Sequence, residues 1–184
     1  MVSSQINTSV LFEKLEATLE RLRARLPDLP TSNVLLSRLL LHLGRGMGAL
    51  LEHQIRPFGL SEAEFRVLTT LFSQPDGVAH PTELCARTYQ SPAHMSRISD
   101  ALVERGLITR VPAVHDRRKM VLNITPQGED LVRQLLPTLY APLREIFRDI
   151  SDAEQHQLID QLKRLTAAMD QALSQHASEP ERGE

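Results

Sequence analysis

The sequence predicts a mainly α protein with one small β-hairpin. Three observations carry that expectation. Apolar residues recur every three or four positions through most of the 184 residues, the period of a helix with one buried face. Helix starts are explicitly marked: Ser61 with Glu64 and Ser151 with Glu154 form capping boxes, and Ser91-Pro92 sets an N-cap before a Pro at the first helical position. Two short runs, 107–111 and 120–124, are β-branched and roughly alternating, as half-buried strands are.

The elements follow in order. Leu11, Leu15, Leu19, Leu22 and Leu26 place a first helix over 10–26, ended by Pro27 and Pro30. Thr31 or Ser32 caps a second helix that runs to about Arg56 and stops at Pro57-Phe58-Gly59. The Ser61 box opens a short helix with Phe65, Leu68 and Leu71 or Phe72 inward, and Gln74-Pro75-Asp76-Gly77 is a turn. After a short strand, His80-Pro81 starts another short helix containing Leu84 and Cys85. The helix from Ser91 buries Met95, Ile98, Ala101 and Leu102 and ends at Gly106. Past the two strands, Thr125-Pro126 caps a helix to about Asp149, which Pro137 and Pro142 should kink or divide. The last helix carries Leu158, Leu162, Leu165, Met169 and Leu173 on one stripe. The final ten residues read as disordered.

Composition narrows the function classes. A chain of 41% hydrophobic and 24% charged residues is an ordinary globular one. One cysteine, Cys85, excludes an internal disulfide and fits a reducing, cytoplasmic setting. The N-terminus lacks the pattern of a signal peptide. The apolar stretch of the second helix is interrupted by Arg38, His42 and Arg45, so no membrane span is expected. The net charge is −2, but its distribution is uneven. Between 87 and 119, seven basic residues (Arg87, Arg97, Arg105, Arg110, Arg117, Arg118 and Lys119) stand against three acids (Asp100, Glu104 and Asp116). An acidic body with one basic segment is the electrostatic footprint of a nucleic-acid surface.

That segment sits in a telling order: helix, short strand, helix, tight turn, helix, then a hairpin with a basic tip. This is a winged helix-turn-helix, whose second helix of the turn enters the major groove. With Met95, Ile98 and Leu102 buried, Ser91, Pro92, Ala93, His94, Ser96 and Arg97 face outward. Arg97 has the fork to pair a guanine, and His94 can donate to a base acceptor. Ser91 and the helix start suit a phosphate. At the hairpin tip, His115, Asp116, Arg117, Arg118 and Lys119 form a wing suited to a narrow minor groove. Asp116 there, and Asp100 on the helix, are placed to orient guanidinium groups. A solvated surface turn is the plain alternative for the tip.

The run SRISDALVERGLI (96–108), then Asp116-Arg117-Arg118, then LNITPQG (122–128), resembles the MarR family of transcriptional regulators. The likeness extends over 31–173. LLSRLLLHL in the second helix and RQLLP after the wing look most like the EmrR-like subgroup, repressors of multidrug efflux operons. The resemblance implies a homodimer, a pseudo-palindromic double-stranded DNA operator, and release of DNA by small phenolic or lipophilic effectors. Pro92 departs from the polar or basic residue expected in the recognition helix.

A small basic domain binds DNA weakly alone, and doubling it on a two-fold axis addresses this. The leucine stripe of the last helix and the surplus apolar faces of the first two are the obvious means, as the family resemblance implies, with a thicker monomer core as the plain alternative. The expected organisation is therefore N-terminal helices over 1–57, the DNA-binding domain over 58–124, C-terminal dimerisation helices over 125–174 and a tail over 175–184. Arg38, His42 and Arg45, at i, i+4 and i+7, form a polar stripe on an apolar helix. They suit an aromatic acid or phenol, and the family resemblance adds Phe65 and Leu68 as walls. Salt bridging across the dimer or plain solvent exposure is the other reading of the stripe. Gly44, Gly46 and Gly48 on the same helix invite a close neighbour or room for a ligand. No metal-ligand spacing, nucleophile elbow or phosphate loop is present, and no cofactor or enzymatic activity is expected. Cys85 reads as a buried core thiol. The competing function is a winged-helix protein-interaction module without specific DNA binding.

Overall fold

A computed structural model describes residues 8–113 and 119–178. It contains α1 (Thr8–Arg23), α2 (Thr31–Ile55), α3 (Glu62–Phe72), β1 (Val78–Ala79), α4 (Pro81–Thr88), α5 (Pro92–Glu104), β2 (Ile108–Pro112), β3 (Met120–Ile124), α6 (Pro126–Ile146) and α7 (Asp152–Ser178). The chain divides into two compact units, Met1–Arg133 and Gln134–Glu184.

In the first unit the expected hairpin gains a third strand. The sheet is antiparallel in the order β1-β3-β2, with Val78 opposite Asn123 and Ile108 opposite Ile124. Two residues of β1 are enough, because β3 leaves one edge open that needs backbone partners. The core beside it is Ile55, Val67, Leu68, Leu71, Leu84, Met95, Leu102, Ile108 and Leu122. Val67 joins this core, whereas Phe65 and Phe72 are half-buried. Arg133 covers the Phe72 ring, 5.4 Å from its centroid.

Local chemistry sets the boundaries. At Ser61, the backbone N–H donates to Glu64 Oε2 at 2.8 Å and the Ser61 hydroxyl accepts from Glu64 N–H at 3.3 Å. Ser91 accepts from His94 N–H at 3.3 Å, with Pro92 at the first helical position. Gly106 closes α5 with φ 69°, a conformation costly for other residues.

Several expectations need correcting. Helix α1 stops at Arg23, three residues early, and leaves through a tighter turn in which Arg25 N–H donates to Leu22 O. Pro27 is the reason, because it disfavours helical backbone in the residue before it. Neither Thr31 nor Ser32 caps α2. Pro30 holds that position, its carbonyl accepting the first helical bond from Val34, while the Thr31 hydroxyl turns back to Leu29 O. The described part of α7 continues to Ser178, four residues into the segment expected to be disordered. Pro137 and Pro142 do not divide α6; each removes one intrahelical donor, and the neighbouring turns carry the helix through. Cys85 is half-buried rather than a core thiol.

Each unit leaves much apolar surface exposed among the described residues. The stripe Leu158, Leu162, Leu165, Met169 and Leu173 on α7 is 38% to 62% exposed. Leu36, Leu41, Leu43 and Met47 on α2 are exposed too. By length and composition alone, Thr31–Phe58 could cross a bilayer. Arg38 and Arg45 oppose that, at about 2.5–3.5 kcal/mol for each charge near a bilayer centre. Among the described residues, a Cβ on Gly44, Gly46 or Gly48 would meet nothing within 4 Å, so these glycines serve no close approach there.

Candidate nucleic-acid interface

Helices α4 and α5 and the β2–β3 hairpin build the surface. Helix α5 turns Met95, Ile98, Ser99 and Leu102 into the core. The buried Ser99 hydroxyl is satisfied by donating to Met95 O at 2.7 Å. The opposite face presents Ser91, Pro92, Ala93, His94, Ser96 and Arg97, all exposed. These residues come together as the periodicity predicts, in one patch at the N-terminal half of α5.

The arginines of the basic segment divide sharply. Arg87 is paired with Glu83 at 3.3 Å, one turn back. Arg105 reaches out of α5 and donates to Gly59 O at 2.8 Å and Phe58 O at 3.0 Å, fixing the far end of the helix to the α2–α3 connection. Arg110 of β2 pairs with Asp100 at 2.6 Å and donates to Ser96 O at 3.1 Å. Among the described residues, Arg97 has no such partner. Its guanidinium is exposed on this helix face.

The guanidinium that Asp100 meets is that of Arg110 on β2. The pair links the wing strand to the recognition-like helix. Sequence spacing gives no sign of this, because the contact arises only when β2 packs against α5.

The wing begins as a well-formed hairpin. Pro112 lies opposite Met120, and Ala113 N–H donates to Lys119 O at 2.8 Å, closing the base of the loop. Lys119 is exposed there. His115, Asp116, Arg117 and Arg118 lie outside the described residues.

The far side of the hairpin is anchored to α6. Thr125 Oγ1 accepts from Gly128 N–H at 3.1 Å and donates to Gly106 O at 2.7 Å. Gly128 packs against the start of the wing: a Cβ there would stand 2.2 Å from Leu107 O and 2.9 Å from Ile124 Cγ1. The glycine of LNITPQG is thus required by close approach.

A groove lies between α1 and α2. Arg38, His42 and Arg45 line a groove of about 290 Å³ together with Phe12, Leu15 and Leu41. Phe12 meets His42 edge-on, with ring centroids 5.5 Å apart at 84°. Phe65 and Leu68 do not line this groove, and Leu68 is fully buried in the core. Phe12 and Leu15 are the walls that sequence spacing missed. Among the described residues no cluster of three metal-ligating side chains occurs.

Comparison with known proteins gives consistent results. Residues 58–119 match a model of the MarR family. The transcriptional repressor MprA of Escherichia coli is 31% identical over 163 residues, covering 87% of this chain and 91% of that protein. A mutant of MarR from E. coli, solved in complex with operator DNA, superposes with a TM-score of 0.65 at 24% identity, covering 75% of this chain and 98% of that one. CouR from Rhodococcus jostii, solved bound to p-coumaroyl-CoA, gives 0.64 at 25% identity, covering 71% and 90%.

Proposed function

The chain belongs to the MarR family of transcriptional regulators, and on that premise we propose that it is a homodimeric, ligand-released repressor acting in the cytoplasm on a pseudo-palindromic operator. The observation that carries the proposal is the face of α5: six exposed residues, Arg97 among them without a partner among the described residues, on a helix tied at its C-terminal end by Arg105 and along its middle by Arg110. Arg97 reads a base edge and His94 donates to a neighbouring one. Ser91 and the start of α5 meet a backbone phosphate. Wing residues His115, Asp116, Arg117, Arg118 and Lys119 follow the adjacent minor groove, with Asp116 orienting an arginine. The solved MarR–operator complex supports this docking by analogy of fold.

The unpartnered stripe of α7 and the apolar face of α2 supply the subunit interface. On this reading 1–57 and 125–174 are dimerisation helices around the DNA-binding segment 58–124. The α1–α2 groove takes the effector. Its volume suits one aromatic ring, with Phe12 and His42 against the ring and Arg38 and Arg45 facing a carboxylate or phenolate. Phe65 and Leu68, which do not line the groove, belong to the packing of the DNA-binding segment. The resemblance of LLSRLLLHL and RQLLP to the EmrR-like subgroup favours an efflux or stress-response operon as the target.

Selection of random duplex DNA by the purified protein at about 0.15 M salt tests the proposal, since lower salt inflates non-specific binding. An inverted repeat with half-sites about one helical turn apart is the expected product. Weak, salt-sensitive binding without enrichment would favour a protein-interaction module instead. For the groove, phenolic acids titrated against the protein–DNA complex should release wild type at lower concentrations than His42→Ala. Equal release would remove His42 from the effector site.

A further inference from the structure

Tyr89 lies in the turn between α4 and α5. Among the described residues it is the one non-glycine with positive φ, at 56°. Bulky side chains rarely adopt this conformation, and it persists only where the surroundings enforce it. Here the enforcement is visible. Tyr89 and Gln90 both direct their N–H groups at Cys85 O, the second at 3.0 Å. Thr88 before them is buried, its hydroxyl donating to Leu84 O at 2.6 Å. A glycine would make the same turn without strain.

The fold gains nothing visible from the tyrosine side chain. It is 89% exposed, and its hydroxyl has no hydrogen bond among the described residues. An aromatic kept in a strained conformation yet left in solvent points to a partner outside the chain. The position indicates which partner. Tyr89 is two residues from the Ser91 cap and next to the exposed start of α5.

We propose that Tyr89 contacts the DNA backbone, its hydroxyl donating to a phosphate oxygen at the edge of the groove that α5 enters. The proposal rests on the DNA-binding reading above and adds to it a residue that sets how deeply and at what angle α5 docks. Such a contact positions the protein without reading sequence.

The test uses full-length wild type, Tyr89→Phe and Tyr89→Gly, each titrated with the selected duplex and with an unrelated one, alongside thermal melting of the free proteins. Both variants should bind each duplex more weakly by roughly tenfold for each of the two subunits' contacts, the size of one hydrogen bond to a charged group, and Tyr89→Gly should melt above wild type. A loss of affinity in a protein that has become more stable is not a folding defect. A second readout is optical. The chain has two tyrosines and no tryptophan, so in a Tyr140→Phe background the emission comes from Tyr89 alone and should change on adding the duplex. Selective binding by wild type with unaltered affinities in both variants would overturn this assignment and leave the DNA-binding reading standing. Absence of selective binding by wild type would overturn both.

Discussion

Replacing Gly128 with alanine tests whether α6 is seated on the wing as tightly as its geometry says. The new Cβ would stand 2.2 Å from Leu107 O and 3.1 Å from Leu107 C, both backbone atoms, and 2.9 Å from Ile124 Cγ1. Ordinary contact needs more than an ångström beyond the first of these, and backbone cannot rotate aside as a side chain can. Alanine gains about 1 kcal/mol in helix propensity. Against this stand overpacking, about 1–3 kcal/mol or more, and disturbance of the Thr125 cap on Gly128 N–H, about 1 kcal/mol. The balance is a loss of roughly 1–3 kcal/mol. For a chain of this size that lowers the melting temperature by several degrees, about 2–4 °C for each kcal/mol. Urea unfolding of both proteins reads it directly, as a lower midpoint at unchanged slope. A midpoint equal to or above that of wild type would show that α6 slides freely on the sheet, and the close-approach argument would be wrong.

Two further predictions separate local effects from long-range ones. Asp100→Ala frees Arg110, and because the pair is solvent-accessible, it should cost under about 1 kcal/mol of stability. DNA affinity should nevertheless fall several-fold, since the wing strand loses its tie to α5; a normal affinity would show that the tie does not matter for docking. At Glu154, the Ser151 hydroxyl and then its backbone N–H hold the carboxyl below the usual range. A lowered folded value means stabilisation that is complete above the unfolded value of about 4.3 and lost as pH falls through the folded one. Helicity measured by circular dichroism should therefore show an acid transition in wild type that is diminished in Glu154→Gln; identical acid profiles would remove the capping box from the account.

What was legible in the sequence is what local chemistry determines. Ser61, Ser91 and Ser151 identify helix starts because each cap is completed within four residues. The outward face of α5 follows from the spacing of Met95, Ile98 and Leu102. The failures share a different cause. The Asp100–Arg110 pair joins a helix to a strand, and Phe12 reaches His42 from another helix, so neither exists before the elements pack. Tyr89 was invisible for the opposite reason: a local rule that expects glycine in a left-handed turn gives no warning of a tyrosine there. Gly128 lies between, present in a recognisable motif but explained only by its contact with Leu107. Thr31 shows that a good capping residue beside a proline can be displaced by one position.

The most direct test of the central claim is to repeat the selection from random duplex DNA with Arg97→Ala. If Arg97 reads a base from the exposed face of α5, the enriched sequence should lose its preference at one symmetric pair of positions, at a cost of roughly 1–3 kcal/mol, and keep it elsewhere. An enriched sequence identical to that of wild type would contradict the account, because the guanidinium on that face without a partner among the described residues would then touch no base.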